Sequence, residues 1–319
     1  MSVKSEQEDA QKLHFVAEGG YPDSEIKTGN WQHQYPFGLH ALDVSGHRIN
    51  YVDEGDAAAD PILMVHGNPT WSFYWRRLIA QLSPHYRTVA IDHLGCGLSD
   101  KPVNHDYCLQ NHIDNLCELI DQLDLSNVTL MAHDWGGSIG LGALLARRDR
   151  FKRIVLFNTG AFPPPYIPLR IRACRWPLVG RLGVQGLNMF AQAATTMATE
   201  QPGGLPTDVA DGLLAPYHNW NNRIAIYRFV KDIPASSGHR TWDVLASIEA
   251  QLPQLSAWPI LMMWGMKDWC FRPECLRRLQ KSWPEAEVHE IADAGHYVIE
   301  DAHEQVATTV DDFLRRTAS

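Results

Sequence analysis

The sequence predicts an α/β fold: a mostly parallel sheet flanked by helices, with a helical cap inserted into it. Three observations predict it. Short apolar runs of β character alternate with helical patterns, as parallel strands joined by crossover helices require. The alternation lapses for about eighty residues after "FNTGAFPPPYIP". Polar residues stand at the ends of several apolar runs, and the carboxyl ends of the strands are where open α/β sheets bind ligands.

Residues 1–36 read as an N-terminal extension. It opens "MSVKSEQEDAQKLHF" and lacks the apolar core of about 7 to 15 residues that marks a signal sequence. The first runs are "HRINYVDEG", "PILMVHG", "YRTVAIDHLG" and "VTLMAHD"; later come "RIVLFNTG", "PILMMWG" and "AEVHEIADAGH". Most are apolar enough to be covered on both faces. The clearest helix is "LQNHIDNLCELIDQLDL", in which Ile113, Leu116, Cys117, Ile120 and Leu123 fall at offsets of 0, 3, 4, 7 and 10, a single apolar stripe. The core is therefore expected over residues 37–162 and 241–319, with the cap over 163–240. In the cap, Trp176, Met189, Phe190, Met197, Trp220 and Phe229 lie in short helical segments broken by pairs such as those in "QPGGLP". Such apolar helices suit a lid over a pocket.

A chain of 319 residues, 45% apolar, can hold one large α/β domain with its own lid. Its net charge of −9 comes without a basic block, so neither nucleic acid nor a membrane is expected as a partner. No stretch approaches the roughly 18 apolar residues of a membrane span, and a soluble cytoplasmic protein is expected. The close pair Cys270 and Cys275 lacks the second pair of a zinc site, so the six cysteines are read as reduced thiols, mostly in the core. His66, His93 and His133 lack metal-type spacing, and no lysine follows Gly95 and Gly97 as a phosphate loop demands. No metal and no cofactor is called for. The expected partner is a small apolar substrate, and homo-oligomerisation stays open.

The chemistry is concentrated in "VTLMAHDWGGSIG". A strand runs into a helix through the small residues Ala132 and Gly136, the form of a nucleophile elbow, with Asp134 at its tip. Capping of the helix by Asp134 is the bland alternative. Two more positions weigh against it. Asp268 follows "PILMMWG", and His296 follows the last run just before the final helix. The order nucleophile, acid, histidine is that of α/β hydrolases, which makes Asp134, Asp268 and His296 the expected triad.

The segments "HGNPTWSFYWR", "DHLGCGLSDKP", "HDWGG", "WGMKD" and "DAGHYVIED" resemble the haloalkane dehalogenases and epoxide hydrolases of the α/β-hydrolase fold, over roughly residues 37–316. That resemblance implies an eight-stranded sheet. Within the group the chain looks most like the third dehalogenase subfamily, which pairs an Asp acid with Asn and Trp halide donors; it is also similar to the β-lactone decarboxylases of olefin biosynthesis. It implies halide donation by the side chains of Asn68 and Trp135, and an oxyanion hole from their backbone N–H groups. The second subfamily places a Glu after the sixth strand; here "FNTGAF" holds no carboxylate, which leaves Asp268 as the acid.

A carboxylate can displace a leaving group from an sp³ carbon and form an alkyl ester. His296, oriented by Asp268, then activates a water that clears it. The leading expectation is thus hydrolysis of haloalkanes to alcohol and halide. Decarboxylation of a β-lactone to an alkene is the nearest alternative, since it uses the same residues. Epoxide hydrolysis needs acids on the cap, for which Tyr166, Tyr217 and Tyr227 are the candidates, and a non-catalytic binding protein of the same fold is a further alternative.

Overall fold

The computed structural model describes residues 26–318; residues 1–25 of the N-terminal extension lie outside the described residues. One sheet of eight strands organises the chain: β1 (Leu39–Val44), β2 (His47–Glu54), β3 (Pro61–Val65), β4 (Arg87–Ile91), β5 (Val128–Asp134), β6 (Phe151–Thr159), β7 (Ile260–Gly265) and β8 (Glu287–Ile291). Their spatial order is β1-β2-β4-β3-β5-β6-β7-β8. β2 pairs antiparallel with both β1 and β4, and every other pairing is parallel.

The apolar runs account for seven of these strands. β1, in "LHALDV", is the eighth, a partly exposed edge whose pattern is not a continuous apolar run. Its cue lies in the turn to β2: Ser45 and Gly46 both have positive φ, 53° and 80°, as a two-residue hairpin loop favours. In contrast, β3, β5 and β7 are buried at every residue because helices cover both faces.

Three helices bear on the site: α1 (Arg76–Leu82), α2 (Leu109–Gln122) and α3 (Trp135–Ala146). α2 buries the expected stripe through Ile113, Leu116, Cys117 and Ile120. α3 is apolar nearly all round and is buried between the sheet and α2. After β3 the chain goes to β4 on one side, and β5 then joins β3 on the other. The carboxyl ends of β3 and β5 therefore flank a crevice at the point where strand order reverses, where ligands bind in open sheets.

The connection from β6 to β7 carries the cap. Its main helices are Leu169–Cys174, Met189–Met197, Thr207–Leu214 and Ile224–Asp232, after which the helix Arg240–Gln251 returns to α2 and α3. Met189, Phe190 and Met197 line the space beneath, and Phe229 packs on Trp135 with ring centroids 5.7 Å apart. Trp176 and Trp220 do not join them. Both turn outward, because a thin layer of short helices has an outer as well as an inner face. Among the described residues no helix is long and apolar enough to cross a membrane.

A buried ion pair joins distant parts of the core. The side chains of Arg76 of α1 and of Glu300, which follows the last strand, are each 1% exposed and bond through both terminal guanidinium nitrogens. Glu300 lies four residues beyond His296, so this pair fixes the histidine's segment against the segment that follows β3.

Candidate active site

Asp134 occupies the last position of β5 and precedes the first residue of α3, with φ 54° and ψ −128°. Such a backbone is uncommon for a residue with a side chain and is held here by its surroundings. The sharp turn brings α3 against the neighbouring strand: a Cβ on Gly136 would lie 2.0 Å from the Val65 carbonyl oxygen. On the other side a Cβ on Gly67 would lie 2.0 Å from Asp134 Oδ1. Only glycine fits at either place, and this closeness lets backbone donors reach the carboxylate. The Asn68 N–H donates to Oδ1 at 2.7 Å, and the Trp135 N–H also donates to the carboxyl group. Burial nonetheless outweighs these bonds and the nearby His296, and raises the Asp134 pKa above the ordinary 3.8.

His296 and Asp268 converge on the same point. Nδ1–H of His296 donates to Asp268 Oδ2 at 2.8 Å, which leaves Nε2 facing Asp134 Oδ2 at 3.7 Å, beyond hydrogen-bond range. Burial opposes charge on this imidazole, but the Asp268 and Asp134 carboxylates prevail and raise its pKa above the ordinary 6.5. Asp268 in turn accepts from the Cys270 N–H at 2.6 Å and from Asn158 Nδ2 at 3.0 Å. All three expected triad residues are thus in one buried cluster.

Two supporting residues escaped the sequence reading. Asn158, near the end of β6, also accepts the Gly265 N–H at 2.7 Å, so its amide locks the β7 end and the Asp268 carboxylate together. Its signal was a polar residue in "FNTG" where the strand should still be buried. His133 donates from Nε2 to the His296 carbonyl at 2.9 Å, and its ring lies against the His296 imidazole, tilted by 43° with centroids 4.6 Å apart. Burial depresses its pKa well below 6.5, so this ring is a neutral support.

A cavity of about 290 Å³ opens above Asp134, between sheet and cap. Asn68, Trp135 and His296 share its floor, while Phe162, Ile171, Phe190 and Val230 are among its apolar walls. The Asn68 amide donates to the Ile226 carbonyl at 3.3 Å, and its Oδ1 is buried without a partner among the described residues. The cysteines are all free, but Cys174, Cys270 and Cys275 line this cavity and are not core fillers alone. Of the cap tyrosines, Tyr166 reaches the cavity but its hydroxyl donates to the Cys270 carbonyl. Tyr217 donates to the Thr70 carbonyl at 3.2 Å, and neither it nor Tyr227 lines the cavity.

This elbow, acid and histidine on an eight-stranded sheet agree with the sequence profile of the α/β-hydrolase fold, which matches residues 60–173 and 184–302. The chain belongs to the α/β-hydrolase fold family. Within the family it is an enzyme of the haloalkane-dehalogenase-like kind. A cis-3-alkyl-4-alkyloxetan-2-one decarboxylase of Shewanella oneidensis is 41% identical over 289 residues, which covers 88% of this chain and 90% of that protein. Haloalkane dehalogenase 2 of Mycobacterium tuberculosis is 33% identical over 280 residues, covering 86% and 94%. Among solved structures, the haloalkane dehalogenase DatA from Agrobacterium tumefaciens C58 superposes with a TM-score of 0.79 at 26% identity, over 88% of this α/β hydrolase and 96% of that chain.

Proposed function

We propose that this α/β hydrolase decarboxylates 3,4-dialkyl β-lactones through an alkyl ester on Asp134. The observation that carries the reading is a buried carboxylate at the floor of an apolar cavity whose lining also includes Asn68 and Trp135, two residues with side-chain N–H groups. Carboxylate attack suits an sp³ carbon, and anionic leaving groups suit N–H donors. Identity of 41% to a decarboxylase of this type, against 33% to a dehalogenase, favours a carboxylate over a halide as the leaving group.

The steps balance without water. Oδ2 of Asp134 attacks the sp³ ring carbon bonded to the ring oxygen, not the carbonyl carbon, and that carbon–oxygen bond breaks with its electron pair going to the released carboxylate. Trp135 Nε1–H and the Asn68 amide receive this anion. The bond to the carboxylate carbon then breaks, its pair forms the alkene, and the ester bond returns its pair to Asp134. Carbon dioxide and an alkene leave. A protonated His296, favoured by its two carboxylate neighbours, stabilises Asp134 as it is expelled.

Haloalkane hydrolysis is the second reading, favoured by one observation: the His296–Asp268 pair stands ready beside Asp134 to activate water, which the lactone route does not consume. Epoxide opening finds no support, since no cap tyrosine offers a free hydroxyl to the cavity. Product analysis tests the proposal. A cis-3,4-dialkyl β-lactone should yield alkene and carbon dioxide. Formation of the β-hydroxy acid, or an inert lactone alongside conversion of a bromoalkane to alcohol, would overturn it in favour of a hydrolytic reaction.

A further inference from the structure

The outer face of the cap departs from the rest of the surface in both apolarity and charge. Among the described residues, every large apolar side chain that is strongly exposed, Val103 excepted, belongs to the cap. Leu169, Trp176, Leu178, Leu182, Leu187 and Met189 are each between 56% and 79% exposed. Soluble proteins scatter such residues singly, and their concentration marks a surface that meets something apolar. The segments that carry them pack on one another through the π-helix Gly180–Gly186.

The charge is equally uneven. The chain carries −9 overall, yet no Asp or Glu occurs from Ile154 to Thr199, and Arg170, Arg172, Arg175 and Arg181 lie among the exposed apolar residues. They escape notice as a basic block because apolar residues separate them. Arg170, Arg172 and Arg181 are exposed and enter no ion pair among the described residues. Arg170 and Arg181 instead sit over indole rings, 4.7 Å from Trp269 and 5.6 Å from Trp220. Guanidinium groups and indoles beside projecting leucines are the side chains of a membrane interface, where the apolar body enters and the polar end stays in the headgroups.

This face is also where the cavity ends. Arg170, Ile171, Cys174 and Met189 both line the cavity and belong to the same segment as the exposed leucines. We propose that the outer face of the cap, from Leu169 to Met189, docks the protein onto an anionic lipid bilayer, with the cavity mouth against it. An apolar substrate then passes from the bilayer into the cavity without crossing water. The inference differs from the sequence-based expectation of no membrane partner, and it does not depend on which leaving group departs from Asp134.

Flotation of the full chain with lipid vesicles tests it. Wild type should float with vesicles containing phosphatidylglycerol, stay behind with phosphatidylcholine alone, and be released by salt. Arg172→Gln with Arg181→Gln should weaken the partition about thirtyfold, from the loss of two charges near the surface. The combined Trp176→Ala, Leu178→Ala and Leu182→Ala variant should no longer float. None of these five residues lines the cavity, so both variants should turn over a short-chain soluble substrate as wild type does, which controls for folding. Wild type that stays off anionic vesicles, or variants that float as well as wild type, would overturn the proposal. So would a wild type that ignores vesicles but sediments as an oligomer which the alanine variant disperses, since a second copy would then cover the face.

Discussion

The floor and the roof of the cavity are built on opposite principles. In the floor, hydrogen bonds link five strand ends: Asp134, Asn158, Gly265, Asp268, His296 and the Asn68 backbone each fix the position of another. In the roof, short helices meet through apolar side chains, and much of their outer apolar surface remains uncovered. A dense polar network defines geometry to a fraction of an ångström, as bond-making requires; a greasy layer of short helices defines only which molecules fit. Substitutions in the floor should therefore act on the chemical steps, and substitutions in the roof on binding.

The largest expected effect is at Asp134. Asp134→Asn should lower turnover by at least about 10⁴-fold on lactone and bromoalkane alike, with no alkyl adduct by intact-protein mass spectrometry. The same change should stabilise the fold at neutral pH. Burial raises the pKa of this carboxyl, so the folded state holds the proton more firmly than the unfolded chain, and stability is lost as pH rises through the raised value. A neutral amide escapes that loss. A higher melting temperature in an inactive variant is the result that supports this account; a lower one would show that the carboxylate is well compensated.

Asp268→Asn comes next and separates the two reactions. Ester hydrolysis after bromoalkane attack should slow by about 10⁴-fold, as for the analogous change in a serine triad, and alkyl-enzyme should accumulate. Lactone turnover needs no activated water and should fall much less. Equal losses on both substrates, measured by rapid quench, would place water in both routes.

A smaller effect is expected at Trp135. Trp135→Phe removes one donor to the leaving anion and should slow alkylation about ten- to a hundredfold in single turnover, with the later step unchanged. At the bottom of the scale, Tyr227→Phe in the roof should stay within about twofold of wild type, because this ring does not line the cavity. A large loss there would undo the division between floor and roof.

The same division explains what the sequence could show. Asp134, Asp268 and His296 were legible because each follows an apolar run, and a strand's end is visible in the pattern of side chains. The stripe of α2 was legible for the same reason. Asn158 was not, since its task is to join the ends of β6 and β7, and strand adjacency is a property of the sheet order. Nor were the directions of Trp176 and Trp220: in a thin cap both faces can be apolar, so periodicity cannot say which is inside.

The Asp134 carboxylate is unsymmetrical, and the protein can therefore keep an isotopic record of its own chemistry. Oδ1 is tethered by the Asn68 N–H, while Oδ2 is turned toward His296 and is the oxygen that attacks in the proposed reaction. If the ester is hydrolysed in heavy-oxygen water, Oδ2 departs with the product alcohol and an oxygen from solvent takes its place. The tether keeps the two positions from exchanging, so many cycles leave one heavy atom in the aspartate and never two. If instead the ester is expelled to form an alkene, Oδ2 returns to the enzyme and the aspartate keeps both of its original oxygens. The peptide that contains Asp134 thus carries the history of the reaction in its mass, whichever substrate was supplied.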